Sequence, residues 1–343
     1  MPSSIARCVV PFLLVALSGG VGLRGQVPQE PAAPIAGALA EAERWLEDGG
    51  IRALDAERIV ARLAIDRPAT ISWLARLLPE AEKEPGTLRA RAIHSLATMV
   101  ALDFVTSQRA TDMVYAGQYA PLQPLMPFVG ERFFDLVLDT PPWFAFTRRV
   151  HLVGPLRDLQ PRAPSAERLE AVIRLVENER EALDLRRQLS GALWQWGTKE
   201  FAQRTLTELQ AETTEGEPEQ RVHALLELAD FHTMLREHRS AAGTHLAAQA
   251  LAKRSEVPLL PVAWYAAACA HSLAGDQKRG LDALETLADM LASPHLDSSH
   301  RIARKNLEND PELALLRKDP RFAAAMTRAF PAERAESGEP RAR

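Results

Sequence analysis

Apolar residues recur at helical spacing along most of the chain, most clearly after Ser165. Leu169, Val172, Ile173 and Val176 fall at i, i+3, i+4 and i+7, which predicts one apolar stripe on a helix capped by Ser165. Leu185, Leu189, Ala192, Leu193 and Trp196 repeat that spacing on a second helix that stops at Gly197. Thr198 is the expected cap of a third, carrying Phe201, Ala202, Leu206 and Leu209. Upstream, residues 36–48 read as a helix ended by Gly49 and Gly50. Asp55 is placed to cap a helix through Ile65, another follows Pro68 to Leu78, and Thr87 caps one through Met99 to Leu102. Residues 36–104 thus predict an N-terminal helical block.

The pattern breaks in 105–164. Phe104, Tyr115, Tyr119, Phe128, Phe133, Phe134, Trp143, Phe144 and Phe146 crowd one stretch that Pro121, Pro124, Pro127, Pro141 and Pro142 cut into short pieces. Helical turns are expected around 108–116, 131–138 and 143–150, with a short strand at Phe133 to Leu138 as the alternative. This segment is read as a connector whose aromatics plug the core. A second reading makes them a binding face, since exposed apolar surface marks interaction sites.

Composition supports helices throughout. The 343 residues hold 56 Ala and 47 Leu against 18 Val and 9 Ile, so the strongest helix formers dominate and the fold class is all-α. The length allows about two domains or one elongated repeat array.

The first 25 residues read as a secretory signal: Arg7, the apolar run Cys8 to Leu17, then Ser18, Gly19 and Gly20. The run is too short and too interrupted for a membrane span, although an uncleaved anchor is the alternative. GVGLRG (20–25) spells a dinucleotide-binding motif but lacks the strand before it and the helix after it. Residues 26–35 form a Pro-rich tether and 331–343 a polar tail. An exported protein, periplasmic or secreted, with no membrane span after signal cleavage, is expected. Without the signal the charge is −6, from 39 basic and 45 acidic residues. Concentrated basic surface is confined to Arg148-Arg149 and Arg186-Arg187, so nucleic acid is not an expected partner. One cysteine, Cys269, follows the signal, so no intrachain disulfide is expected.

Within 165–330 the helical pattern repeats every 39 residues. Arg186, Leu225 and Trp264 share one column; Leu189, Leu228 and Ala267 another; Ser190, Ala229 and Ala268 a third. Ala202, Ala241 and Gly280 align in the second helix of each pair, as do Leu209, Ala248 and Leu287. Columns of small residues let paired helices approach closely, and a period of this size marks a helical solenoid. The best copy, VAWYAAACAHSLAGDQKRGLDALETL, carries Trp264, Ala268, the Gly275-Asp276 turn, Leu284 and Leu287 where the tetratricopeptide repeat family has its characteristic residues. LLELADFHTMLREHRSAAGTHLAAQAL resembles it with His232 and His245 at aromatic positions, and 183–216 is a third, weaker copy. The period exceeds the family's, so each unit carries a longer loop, such as EVPLLP at 256–261. NDPELALLRKDPRF (309–322) is similar to the segment that terminates such repeats. There Asp310 and Asp319 are expected caps, Pro311 and Pro320 occupy the first helical position, and Leu313, Leu316 and Phe322 cover the open end.

Chemistry is harder to find. No HExxH, phosphate-binding Gly-x-x-x-x-Gly-Lys or Gly-x-Ser-x-Gly is present. No cofactor and no metal ligand set is expected, and no catalytic residue is assigned. His223, His232, His238, His245 and His271 cluster in sequence. Those at 232 and 245 lie on two helices of one hairpin, where a zinc or copper site competes with their being packing residues. Cys269, in an Ala-rich run, reads as a small buried hydrophobe rather than a redox thiol. Glu212, Glu215, Glu217 and Glu219 read as a solvated turn.

The resemblance implies ligands against the inner face of the first helices. By register that face carries Arg187, Trp194, His223, Leu226, Asp230, Tyr265 and Cys269; alternatively it is exposed without a ligand, or covered by the N-terminal block. The expected function is therefore a non-catalytic scaffold or adaptor that binds a protein segment in a groove. The rival is an enzyme or small-molecule binder lined by the 104–150 aromatics with Arg148, His151 and Asp139. A third reading has the solenoid only stiffen or oligomerise the protein.

Overall fold

The computed structural model describes residues 35–50, 53–109, 119–139, 146–159 and 164–331. The signal, nearly all of the tether and the tail after Pro331 lie outside them, as do Tyr115, Trp143, Phe144 and the side chains of Phe146 and Arg148. The fold is all-α, with no strand among the described residues. Phe133 to Leu138, the candidate strand, lies inside a helix. No helix among the described residues is long and apolar enough to cross a membrane.

Two compact units divide after Thr198. The first contains α1 (Ile35–Glu47), α2 (Ala53–Leu63), α3 (Arg67–Ala81), α4 (Leu88–Arg109), α5 (Met126–Leu138), α6 (Phe146–Leu159), α7 (Ala166–Glu177) and α8 (Leu183–Gln195). Thr87 caps α4, its Oγ1 accepting from the Ala90 N–H at 3.1 Å, and α4 is the hub against which α1, α2, α3, α5 and α6 pack. Asp55 does not cap α2; it lies inside the first turn, and Asp66 caps α3 instead, accepting from the Ala69 N–H. Phe104, Tyr119, Phe133 and Phe134 are buried core residues. The Tyr119 ring lies where a Cβ on Gly154 of α6 would sit, which explains a glycine inside that helix.

The expected boundary at 165 is corrected by side chains that tie 166–196 back to α5 and α6. Arg149 donates to the Val137 carbonyl through Nε and Nη2 (3.0 and 2.8 Å) and to Glu181 at 2.9 Å. Arg168 pairs with Glu131 and Asp135, and the Phe134 and Trp196 rings lie 5.4 Å apart. These contacts outweigh the repeat register, so the copy at 183–216 is split. Arg149 and Arg186, read as possible basic surface, are spent on main-chain carbonyls.

The second unit contains α9 (Glu200–Glu212), α10 (Pro218–Met234), α11 (His238–Arg254), α12 (Pro261–Leu273), α13 (Gln277–Ala292), α14 (Arg304–Asn309) and α15 (Pro320–Ala329). Each of α9 to α12 packs on the next, α10 also touches α12, and α15 closes on α13. Thr198 is not the cap of α9; Lys199 holds that position with no side-chain bond. The sequence period reappears in the backbone. Helices α8, α10 and α12 end at Gln195, Met234 and Leu273, each 39 residues from the last. The chain then passes through positive φ at Gly197, Arg236 and Gly275, and the following N–H reaches five residues back: Thr198 to Leu193, Glu237 to His232, Asp276 to His271.

The C-terminal segment forms as its motif predicts. Asp310 accepts from the Glu312 N–H and Asp319 from the Arg321 N–H, at the starts of a 3-10 turn (Pro311–Leu313) and of α15. Leu313, Leu316 and Phe322 are buried against α12 and α13. Leu316 fills the space a Cβ on Gly280 would take, which accounts for glycine in that small-residue column. Arg321 bridges Asp282 and Glu285, and Arg328 bridges Asp289.

Candidate functional site

The seven residues assigned to one face do not share one environment. Arg187 and Trp194 lie half-buried on α8, in the first unit. His223, Leu226 and Asp230 lie on α10 and Tyr265 and Cys269 on α12, in the second. Tyr265 and Cys269 are corrected from groove anchors to core. The Tyr265 hydroxyl donates to the Asp310 carboxylate and the Cys269 thiol to the same oxygen, Oδ2, at 3.3 Å. The chain's own terminating segment therefore lies on the face of α12 that was expected to meet a ligand.

The equivalent face of α10 remains accessible. His223 is exposed and its Nδ1 lies 3.2 Å from Glu227, one helical turn on. Leu226 is half-buried and Asp230 exposed. Though solvent reaches Asp230, the surrounding protein desolvates its carboxyl and the nearby Glu227 adds like charge, so its pKa is pushed up to about 6 against a smaller opposing pull from His223. A separate apolar cleft of about 430 Å³ opens between α11 and α12, walled by Leu246, Val257, Leu259 and Trp264. Two of these, Val257 and Leu259, come from the long inter-repeat loop.

The histidines do not converge on a metal. His232 Nδ1 pairs with Glu237 Oε2 at 2.7 Å, not with His245. His245 instead neighbours His271 electrostatically, from the next helix pair. Both are buried, and their ring nitrogens have no hydrogen-bond partner. His238 is half-buried on the first turn of α11.

For the rival reading, Asp139 is exposed at the end of α5 and His151 is half-buried in α6. The aromatics Phe104, Tyr119, Phe133 and Phe134 fill the core instead of lining an opening. Sequence reasoning missed one polar cluster, formed by Tyr265, Cys269, Asp310 and Glu312. Asp310 was legible as a helix cap; its contact with residues more than forty positions earlier had no local signal. No family model, curated protein or solved structure matches this chain.

Proposed function

We propose that this protein is an exported, tetratricopeptide-like scaffold or adaptor that holds a protein segment against α10, through His223, Leu226 and Asp230. The observation that carries the reading is the desolvated but accessible Asp230 beside Glu227. An acidic, partly apolar face of this kind suits an extended segment that offers a basic or amide group to Asp230 and an apolar side chain to Leu226. The 39-residue recurrence of helix ends and turns supports the repeat resemblance.

The test is cross-linking capture from the exported fraction with residues 26–343 as bait. Asp230→Lys with Leu226→Ala is one comparison, and exposed Arg239→Ala is the control. A protein retained by the native and control baits and lost by the double variant supports the reading. Retention is also expected to weaken as pH falls below about 6, where Asp230 takes up its proton. Equal capture by all three baits overturns the α10 assignment and makes the α11–α12 cleft the surface to vary next.

A further inference from the structure

One group of side chains in the second unit has the composition and compactness of a metal centre. The Cys269 sulfur and one carboxylate oxygen each from Asp310 and Glu312 lie within 4.8 Å of one another. All three residues are buried, with 4%, 0% and 7% of their surface exposed. They come from two separate elements: the thiol from the middle of α12, the carboxylates from the cap and second residue of the 3-10 turn that starts the terminating segment.

Two carboxylates and a thiol gathered away from water need a counter-charge or retained protons. Arg317 acts on Asp310 from nearby, but its Nη1 is spent on the main-chain carbonyls of Asp310 (2.6 Å) and Leu307 (3.4 Å). Zinc accepts sulfur and carboxylate oxygen together, with bonds of about 2.3 Å to sulfur and about 2.0–2.2 Å to oxygen. Ligand atoms around a tetrahedral ion then lie roughly 3–4 Å apart, within the span these three atoms already occupy. The Asp310 carboxylate is also oriented by donors that are not themselves candidate ligand atoms. The Tyr265 hydroxyl holds Oδ2, and the Glu312 N–H holds Oδ1 at 2.9 Å. Hydrogen bonds of that sort fix the ligands of built metal sites.

We propose that Cys269, Asp310 and Glu312 form a zinc(II) site that clamps the terminating segment onto α12. The fourth position is left for an exchangeable ligand. Binding sheds the Cys269 thiol proton, and any carboxyl proton, to the buffer. The site joins residues 41 positions apart, so the ion stabilises the closed end of the stack.

The test uses the full chain freed of metal with a chelator, titrated with zinc chloride by calorimetry and with cobalt(II) by absorption. Expected are one ion per chain, a rise in the thermal midpoint with zinc, and a near-ultraviolet thiolate-to-cobalt band that is absent from Cys269→Ala. Glu312→Gln, which keeps the thiol and the Asp310 cap, is expected to bind zinc about tenfold or more weakly. Absence of the cobalt band from the native chain overturns the site, as does zinc affinity equal in native, Cys269→Ala and Glu312→Gln proteins. Should Cys269→Ala fail to fold, the native cobalt spectrum and the Glu312→Gln affinity decide the matter alone.

Discussion

His245 sits with 2% of its surface exposed and neither ring nitrogen hydrogen-bonded. Burial lowers its pKa from 6.5 to about 4, and His271 across the helix pair adds to the effect. A lowered histidine pKa means that the folded state resists protonation while the unfolded state accepts it. Stability is therefore complete above pH 6.5 and declines as pH falls toward 4, by about 3 kcal/mol in total. Below that window both states are protonated and the loss levels off. His245→Leu removes the titration and the two unpartnered nitrogens together. Its denaturant-measured stability is expected to fall by about 3 kcal/mol less than that of the native chain between neutral pH and about pH 4; equal losses would refute the assignment. The residue-level lesson is that spacing placed His245 correctly on its helix but paired it with the wrong partner. His232, one 39-residue period before His271, turns to Glu237 across the helix-ending turn. Which imidazole faces which depends on how successive hairpins stack, and no local pattern encodes that.

The helix-ending turn is the element that recurs most faithfully. Gly197, Arg236 and Gly275 occupy the same left-handed position 39 residues apart, at φ 97°, 63° and 81°. An L-residue side chain crowds its own backbone there, at a cost of about 1 kcal/mol. Arg236 is exposed, and the two equivalent glycines show that the turn itself needs no side chain. Arg236→Gly is accordingly expected to raise the unfolding free energy by about 0.5–1 kcal/mol, while Gly275→Ala lowers it by about 1 kcal/mol. Opposite signs in chemical denaturation are the check; two losses would mean that Arg236 makes a contact worth more than the strain. At this scale much was legible. The Ser165, Thr87, Asp310 and Asp319 caps form where side chain and spacing put them. Thr198 does not cap, because the next helix starts after Lys199, which holds the cap position. At the equivalent position Asp276 serves both helices, its N–H bonding the His271 carbonyl and its side chain accepting from the Arg279 N–H.

Across the whole molecule, the division after Thr198 was not legible, because α7 and α8 carry the apolar stripe of the repeat helices yet bind α5 and α6 through Arg149, Arg168 and Trp196. Packing of α8 on α6 and of α7 on α5, together with those ion pairs and the aromatic contact, places the boundary, and periodicity is blind to which helices pack together. The far end of the second unit was legible, since its leucines, prolines and aspartates must work locally before they work globally. That end has a defined physical task. Leu284 and Leu287 of α13 share one buried core with Leu316 and Phe322 of the C-terminal segment. Leu316 also fills the notch at Gly280, so its truncation leaves a void that the helix cannot close. Leu316→Ala is expected to cost about 2–5 kcal/mol through lost burial and the cavity left behind. Leu316→Asp places a charge in that position, lifts the segment, and leaves an apolar helix face with no cover. Apolar helix faces left without cover associate between molecules. Light scattering of Leu316→Asp is therefore expected to show mass rising with concentration under conditions where the native chain does not change. A variant that stays unchanged in mass while losing only stability would mean that α15, held by Arg321 to Asp282 and Glu285, covers the end of the stack without the leucine.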